Sequence, residues 1–500
     1  MSQALNEADV LVVGAGIMGA GITQIAAQAG HQVLLYDVGE GAAAGAIAKL
    51  SATFDKLVAK GKITAESAAE SLSKISVANS LADCASVGLV VEAIVENLGI
   101  KQKLFRDLEA VVSEDCVLAT NTSSISVTAI ANGMQHPERL VGMHFFNPVP
   151  LMKLVEVVSG LQTSPAVAEG IFELSGRWGK VPVYARSTPG FIVNRIARPF
   201  YAETLALLQE QASSPTVLDA CLRAVGFRMG PCQLTDLIGH DTNFAVTSSV
   251  YEANFYDKRF MPSLVQRELV DGGLLGRKSK QGFYDYRDGA VNEVLTEMDP
   301  MDKLPTAKTL QVHGSGAVAE HILTALKKYD YACEQLADSD WQGLAVDGAI
   351  LRLTDGRTAT EQGAEVAVFD LPVRFEDGQV LAWAISGRAS ETWAQAVPHW
   401  LQVFGFEPQA IADAPGLVVA RTLAMLINEA ADAVQQGVCT EKAADDAMKM
   451  GVNYPAGPFE WLAGWSASAV VELLNNLDNY YAGERYRVSP WLKQQHWMAA

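Results

Sequence analysis

Short apolar runs alternate with longer amphipathic stretches through the first 186 residues of the chain. The runs have the length and continuity of strands that are buried on both faces, and the stretches between them carry apolar residues at helical spacing. Alternation of strand and helix over most of this stretch predicts a doubly wound α/β domain with a Rossmann-type sheet. The predicted strands start at Val10, His31, Gly88, Cys116, Val141, Leu154 and Val181, and the clearest helices cover Ile17–Ala29, 38–74 and Ala166–Lys180.

The first strand leads into a glycine pattern, Gly14-x-Gly16-x-x-Gly19, that opens the first helix. The first glycine permits a tight turn, the second lets a pyrophosphate approach the backbone, and the third lets the helix pack close to the strand. Asp37 ends the second run, 23 residues after Gly14 (37 − 14). A carboxylate at this distance binds the ribose hydroxyls of NAD and repels the 2′-phosphate of NADP. The pattern therefore predicts an NAD site.

A buried hydrophobic hairpin and a membrane helix are the alternatives for this glycine-containing run. Thr23, Gln24 and Gln28 interrupt the apolar residues too early for a span of roughly 20 apolar residues. The membrane alternative is therefore disfavoured.

The remaining chain divides by changes in pattern. Thr188 and Pro189 suit a helix start, and a helical pattern follows them. We predict an all-α domain over 187–286, an acidic linker over 287–305, a truncated Rossmann-like segment over 306–400, and a second all-α module over 411–490. The truncated segment has Gly314 and Gly316 but Ala319 at the third position, so we expect that it has lost nucleotide binding.

The two helical modules, 187–286 and 411–490, form an internal repeat. Asp413-Ala-Pro-Gly mirrors Ser187-Thr-Pro-Gly at an offset of 226 residues (415 − 189). The same offset pairs Arg195 with Arg421, Glu203 with Glu429, and Asp219 with Asp445. Coincidence between two Ala/Leu-rich segments is a poor explanation for so many polar identities in register. Because Ala420 replaces Asn194, the second copy is predicted to be structural.

Composition narrows the class of protein. At about 150 residues per domain, 500 residues suggest about three domains. A net charge of −19 argues against nucleic acid and anionic membranes as partners. The six cysteines form no CxxC pair, which argues against a metal site or a disulfide framework. A strand within ten residues of Met1 leaves no room for a signal peptide, so we expect a cytoplasmic protein.

Candidate chemistry gathers where the predicted strands end. Glu96, Asn121, Ser123 and His144 all lie at such ends and should converge at the carboxyl edge of the sheet. When a secondary alcohol loses a hydride to a nicotinamide, a histidine can take the hydroxyl proton, contributing roughly 10²- to 10⁴-fold. Glu156, which we predict at the end of the next strand, could orient His144. Ser123 and Asn194 can donate to the developing carbonyl oxygen. A lone strand-end histidine is more often structural, so these roles are a hypothesis.

A basic cluster follows the second strand, comprising Lys49, Lys56, Lys60 and Lys62. Such a cluster is most often a solvated helix face. Beside a dinucleotide site in an acidic protein it is also a candidate anchor for an anionic substrate tail.

A resemblance now becomes specific. Over residues 8 to about 286 the chain resembles the L-3-hydroxyacyl-CoA dehydrogenase family, through VLVVGAGIMGAGI, VVEAIVENLGIK, TNTSSI, GMHFFNPVPLMKLVEVV, STPGFIVNR and GRKSKQGFYDY. The resemblance implies a His144–Glu156 catalytic pair, with Ser123 and Asn194 at the reacting oxygen. It also implies a CoA thioester substrate, whose phosphates the lysine cluster would suit. The NAD contacts that it implies are Gly14, Gly16, Ile17, Met18, Gly19, Asp37, Glu96, Lys101, Ser123, Asn147 and Lys278.

The whole length resembles the longer bacterial members of this family. Some of these oxidise 3-hydroxyadipyl-CoA in phenylacetate or related aromatic catabolism, and others oxidise 3-hydroxybutyryl-CoA. Single-copy members dimerise through the helical domain, so the two modules here could pair as an internal pseudo-dimer, with a homodimer as the other possibility. A redox-silent binding protein and an enzyme acting on a free hydroxy acid, related to the 6-phosphogluconate dehydrogenases, remain as alternatives.

Overall fold

The computed structural model describes residues 5–296, 298 and 303–499, so part of the predicted linker lies outside it. The chain forms two structural units, the first comprising residues up to 195 together with 433–452, and the second 196–432 together with 453–500. Among the described residues, no helix has the length and apolar character needed to cross a membrane.

An eight-stranded sheet is the framework of the first unit, in the order β3-β2-β1-β4-β5-β6-β7-β8. Its strands and helices are β1 (Val10–Val13), α1 (Ile17–Gln28), β2 (Val33–Tyr36), α2 (Ala42–Ala59), α3 (Ala65–Ser73), β3 (Ile75–Val77), β4 (Leu89–Glu92), α4 (Leu98–Glu109), β5 (Val117–Thr120), α5 (Val127–Ile130), β6 (Leu140–Phe145), β7 (Leu154–Ser159), α6 (Pro165–Arg177) and β8 (Val181–Arg186), with α7 (Val193–Ile196) at its end. The predicted Rossmann-type domain is confirmed.

The sheet departs from the prediction at its edges. Sequence reasoning missed β3, whose three residues Ile-Ser-Val make too short an apolar run to stand out. The six strands from β3 to β6 are parallel, but β7 runs antiparallel to β6. Glu156 therefore lies within β7, directly opposite His144, and not at a strand end as predicted.

The second unit holds the first helical module and a second sheet. Its first helices are α8 (Arg198–Gln209), α9 (Pro215–Ala224), α10 (Pro231–Ile238), α11 (His240–Ala253) and α12 (Leu264–Asp271). The sheet region comprises β9 (Leu310–His313), α13 (Ala317–Lys328), β10 (Glu334–Leu336), β11 (Gly343–Val346), β12 (Ala349–Leu353), α14 (Ala359–Gln362), β13 (Val366–Phe369), β14 (Gln379–Ile385), α15 (Glu391–Val403) and β15 (Phe406–Ala410). It ends at Ala410 rather than 400 because β15, which contains a proline, has no clear apolar pattern.

The second sheet has its own glycine turn, and a side chain fills it. Because β11 runs antiparallel to β9, it brings its leading residues over the end of that strand. A Cβ added at Gly316 would lie 2.6 Å from Oε1 of Gln342, and one at Gly314 would lie 2.7 Å from Cγ of the same residue. This glutamine occupies the space in which a pyrophosphate would bind, which gives a physical basis for the expected loss of nucleotide binding.

The second helical module supplies the last five helices, α16 (Val419–Gln435), α17 (Glu441–Val452), α18 (Pro458–Trp465), α19 (Ala467–Tyr481) and α20 (Pro490–Ala499). Within the second unit it pairs with the first module through reciprocal ion pairs. Arg259 binds Glu429 at 3.1 Å, and Arg485 binds Glu203 at 2.7 Å. The two pairs are related by the 226-residue offset (485 − 259 and 429 − 203). Reciprocal contacts of this kind define an isologous interface, here between two halves of one chain.

Candidate active site

The three glycines of the first turn each have a distinct structural role. A Cβ at Gly14, which has a φ of +108°, would lie 2.5 Å from the carbonyl oxygen of Ala93, and one at Gly19 would lie 1.7 Å from the carbonyl oxygen of Gly14. The first and third glycines therefore permit close approaches of the backbone. Gly16 differs, because a Cβ there would meet no atom within 4 Å. The second glycine leaves open space at the start of α1, as a bound pyrophosphate requires.

Asp37 is held against this turn. Its Oδ2 accepts the N–H of Ala15 at 2.7 Å, and its Oδ1 accepts the N–H of Gly39 at 2.8 Å. Each carboxylate oxygen retains a further lone pair that can accept from a ribose hydroxyl. The open glycine and the oriented carboxylate together fit NAD.

A cavity of about 560 Å³ extends from the glycine turn to helix α2. Gly16, Ile17, Lys49, Thr53 and Asn147 are among the residues that line it. Met18 lies beside this turn and packs against the core of the sheet. The cavity brings Lys49 of the basic cluster to the same space as the dinucleotide glycines.

Glu96 lies at the centre of a network that joins the β4 and β5 ends. Its Oε1 accepts from the Thr122 hydroxyl at 2.7 Å and from the N–H groups of Ser123 and Ser124 at 2.9 and 3.1 Å. Burial opposes its ionisation, but Lys101 and these donors outweigh burial and lower the pKa of Glu96 below its ordinary value. Glu96 is therefore ionised and fixes the turn that carries Ser123.

Lys101 is buried between two carboxylates, 2.6 Å from Oε1 of Glu92 and 3.3 Å from Oε2 of Glu96. Thr120 also donates to Glu92 at 2.6 Å. In this arrangement Lys101 orients Glu96. Sequence reasoning found Lys101 only through the family resemblance and missed Thr120, because a buried threonine at a strand end carries no signal of its own.

His144 and Glu156 form a buried pair across β6 and β7. Nδ1 of His144 donates to Oε2 of Glu156 at 2.6 Å, and Glu156 has no exposed surface. The other oxygen, Oε1, accepts the N–H groups of Ile192 and Val193 at 3.0 and 2.9 Å. The carboxylate is thus satisfied on both sides, and the imidazole keeps Nε2 for a proton from another molecule.

Ser123 and Asn194 are brought together near the start of α7. The side-chain amide of Asn194 lies 3.4 Å from the carbonyl oxygen of Ser123, and the Ser123 hydroxyl lies 3.4 Å from Oε1 of Glu96. Asn121, also predicted at this edge, accepts the N–H of Phe145 through its side chain at 2.8 Å and so fixes the end of β6.

The segment 433–452, which we call the α16–α17 hairpin, contributes residues that the sequence did not reveal. Its Gln436 accepts from Nη1 of Arg195 at 2.9 Å, and Val438 accepts the N–H of Arg186 at 2.9 Å. Burial, followed by the charge of Glu156, raises the pKa of Cys439 to about 12, so this thiol is neutral. Cys439 thus places an uncharged group close to the carboxylate of Glu156. Only the internal repeat pointed to this segment, and it did not show where the segment packs.

The remaining candidate site residues are Lys278 and residues of the second sheet region. Lys278 lies in the second unit, where its ammonium pairs with Asp241 at 2.5 Å. In the second sheet, Asp370 accepts the N–H groups of Val418, Val419 and Ala420 at 2.7 to 2.9 Å. The offset makes the first two equivalent to Ile192 and Val193. A carboxylate bound directly to backbone, with Ala420 beside it, marks this region as structural.

The glycine turn and the His–Glu pair define the chain as a nicotinamide-dependent dehydrogenase. Comparison with family models agrees: the 3-hydroxyacyl-CoA dehydrogenase NAD binding domain matches residues 9–188, and the C-terminal domain of the same family matches residues 190–286 and 416–496. The 3-hydroxybutyryl-CoA dehydrogenase reduced Rossmann-fold domain matches residues 351–415. The chain belongs to the 3-hydroxyacyl-CoA dehydrogenase family, and its cofactor is NAD.

Individual relatives match over the whole chain or its first half. The chain is 43% identical to a 3-hydroxyadipyl-CoA dehydrogenase of Escherichia coli (strain K12), covering 98% of each protein. It is 41% identical to a 3-hydroxybutyryl-CoA dehydrogenase of Clostridioides difficile, over 55% of this chain and 98% of that one. A crystal structure described as 3-hydroxybutyryl-CoA dehydrogenase from Escherichia coli K12 superimposes with a TM-score of 0.90 at 42% identity, covering 99% of each chain.

Proposed function

We propose that the protein oxidises the 3-hydroxyl of L-3-hydroxyadipyl-CoA to the 3-oxo thioester with NAD. The observation that carries the chemistry is the buried His144–Glu156 pair, with Nδ1 bound to the carboxylate and Nε2 available. The observation that favours the adipyl chain is the 43% identity over 98% of both chains to a relative of that name. Oxidation of 3-hydroxybutyryl-CoA is the second candidate, favoured by the name of the superimposed crystal structure.

In this proposal His144 takes the hydroxyl proton on Nε2, and Glu156 stabilises the imidazolium that results. The Ser123 hydroxyl and the Asn194 amide donate to the oxygen as it becomes a carbonyl. Bound NAD would supply the acceptor for the hydride that leaves C3. Proton and hydride together account for the two hydrogens that the alcohol loses.

The proposal also assigns the binding residues. Gly14, Gly16, Gly19, Ile17, Met18, Asp37, Glu96, Lys101, Ser123, Asn147 and Lys278 serve the NAD site, directly or by orienting it. The basic cluster serves the CoA phosphates, because Lys49 lines the cavity beside the glycine turn and Lys56 and Lys60 follow it at helical spacing. We assign the protein to the cytoplasm and to phenylacetate or related aromatic catabolism.

A substrate panel tests the proposal. Purified protein and NAD are mixed with the L-3-hydroxyadipyl, L-3-hydroxybutyryl and longer unsubstituted 3-hydroxyacyl thioesters of CoA, and NADH is followed by absorbance. The adipyl thioester should have the highest kcat/KM. Equal or higher kcat/KM for the butyryl thioester would favour the second candidate, and turnover of free hydroxy acids alone would overturn both. A protein that binds NADH and turns over none of them would be redox-silent.

A further inference from the structure

The pseudo-symmetric interface between the two helical modules has two ends, and they are built differently. Residues related by the 226-residue offset occupy equivalent places, as the Arg259–Glu429 and Arg485–Glu203 pairs show. Any difference between equivalent positions therefore marks a real divergence of one end from the other.

Charged side chains fill one end, which we call the filled end. Asp432 forms ion pairs with Arg259 and with Arg487, whose Nη1 is 3.2 Å from Oδ2. Arg487 also forms an ion pair with Asp257 at 3.0 Å. The side chain of Asn428 accepts the N–H of Ser489 at 2.8 Å. The central feature of this end is a carboxylate, that of Asp432, held by two guanidinium groups.

The opposite end lacks this carboxylate and contains a cavity of about 260 Å³. Ala206 stands where Asp432 stands at the filled end (432 − 226), and Met261 stands where Arg487 stands (487 − 226). Ala202 and Gly483 likewise take the places of Asn428 and Asp257. All four of these smaller or uncharged residues line the cavity. The space that protein side chains fill at one end is thus left open at the other.

The open end has Met261 in place of the cation Arg487, but it keeps a counterpart of Arg259 and gains one further cation. Arg485, the counterpart of Arg259, lines the cavity together with Arg421 and Lys258. Arg198, whose counterpart is Ala424, joins them and is only 5% exposed. Its Nη1 donates to the hydroxyl of Thr247 at 2.9 Å. Burial lowers the pKa of Arg198 and outweighs the neighbouring tyrosines, which raise it.

Three carboxylates, Glu203, Glu210 and Glu484, pair with these cations. Glu203 binds Arg421 at 2.7 Å and Arg485 at 2.7 Å, and Glu210 accepts from the hydroxyl of Tyr481 at 2.8 Å. Glu484 binds Lys258 at 3.4 Å, and Glu210 lines the cavity together with the four cationic side chains. At the filled end Arg259 binds both Glu429 and Asp432, whereas its counterpart Arg485 binds Glu203, so a second carboxylate beside Arg485 would complete the equivalent arrangement.

We propose that this cavity binds the carboxylate of a short aliphatic chain, in the place that corresponds to Asp432 at the filled end. Arg485 would hold it as Arg259 holds Asp432, and Arg198 would add a second guanidinium. Leu205, Met261 and Pro262 provide an apolar lining for the methylene groups of the chain. The carboxylate could come from the free end of a dicarboxylic acyl thioester or from a separate dicarboxylic acid. Only the first source rests on the proposed function.

Binding measurements on the full chain test the cavity without turnover. Calorimetry gives the affinities for adipate and for adipyl-CoA and butyryl-CoA, which lack the 3-hydroxyl. Arg198→Met should weaken the carboxylate ligand about ten- to a hundredfold, the value of a hydrogen bond to a buried charge. Arg267→Met, which removes an exposed arginine that pairs with Asp271, is the matched control and should change neither affinity.

A second pair of variants copies the filled end. Ala206→Asp places a protein carboxylate in the cavity, where the structure of the filled end shows that such a group is accommodated. It should weaken the ligand carboxylate at least tenfold more than Ala206→Asn, which has the same size and no charge. Circular dichroism and the melting temperature show that each variant is folded.

The outcomes distinguish the two sources of the carboxylate and also test whether the cavity binds a carboxylate. Loss of the preference for adipyl-CoA over butyryl-CoA in Ala206→Asp identifies the substrate chain as the ligand. Loss of adipate binding alone, with the thioester preference intact, identifies a separate dicarboxylic acid. If the wild type shows neither adipate binding nor a thioester preference, or if Ala206→Asp and Arg198→Met change neither, the cavity does not bind a carboxylate. Failure of the proposed function would appear instead as absent turnover in the substrate panel.

Discussion

If His144 is the base that we propose, replacing Glu156 by glutamine should disable it by changing the tautomer of its imidazole. Oε1 of Glu156 accepts two backbone N–H groups, from Ile192 and Val193, and Oε2 accepts Nδ1–H of His144. A glutamine must keep its single oxygen towards the two N–H groups, because its NH₂ would clash with them. The NH₂ then faces Nδ1 of His144 and donates to it. The proton of the imidazole moves to Nε2, which can no longer act as a base.

The size of the effect follows from losing both the base and its counter-charge. In a comparable acid–histidine arrangement the amide variant loses about 10⁴-fold in kcat, or about 5.5 kcal/mol of transition-state stabilisation. The assay is the initial rate of NADH formation with the best substrate of the panel, together with the Kd of NADH by fluorescence. NADH should bind as it does to the wild type, because Asp37 and Gly16 are unchanged.

A matched control removes a carboxylate without touching the pair. Glu169 is exposed on α6, so Glu169→Gln should retain the wild-type rate. If Glu156→Gln is folded and keeps more than a tenth of the wild-type kcat, then Glu156 does not set the state of His144 and the mechanism is wrong.

Three further predictions test other parts of the structure. Gly16→Val should weaken NAD binding about a hundredfold with little change in melting temperature, because a Cβ there meets no protein atom and enters the phosphate space. Calorimetry measures the affinity for NAD, and an unchanged affinity would refute the prediction. Gly451→Ala places a Cβ 2.6 Å from Leu154 and 3.1 Å from Val193, so kcat in the NADH assay should fall about tenfold. The control is Gly464→Ala, whose Cβ would meet no atom within 4 Å and which should leave kcat unchanged. Burial raises the pKa of Asp370 from 3.8 to about 6, so its contribution to stability is complete below pH ~4 and is lost as the pH rises through 6. The difference in unfolding free energy between the wild type and Asp370→Asn should therefore shrink by about 3 kcal/mol between pH 4 and 7 in urea titrations, and a constant difference would contradict this.

Local chemistry explains what the sequence predicted well. The strands β1, β2, β4, β5 and β6 are largely apolar runs, and Gly14, Gly16 and Gly19 are set by contacts close to one turn. Such features depend on neighbours in the chain, so period and spacing reveal them. His144 and Glu156 stand out as candidates in the sequence because both residue types are rare within apolar strands.

Pairing over long distances explains what the sequence did not predict. No apolar pattern shows that β7 runs antiparallel, and this direction is what places Glu156 opposite His144. The packing of the α16–α17 hairpin joins Gln436 to Arg195 across 241 positions of sequence. Filling of the second glycine turn by Gln342 likewise depends on the direction of β11.

The reciprocal ion pairs have a consequence for how such a protein can change. In a homodimer of identical chains, every substitution appears at both ends of the contact, so a helpful change at one end must be tolerated at the other. Joining the two copies in one polypeptide removes that coupling. Ala206 and Asp432 could then be selected separately. Side chains could fill one end of the interface and make it rigid, while the other end acquired a new function.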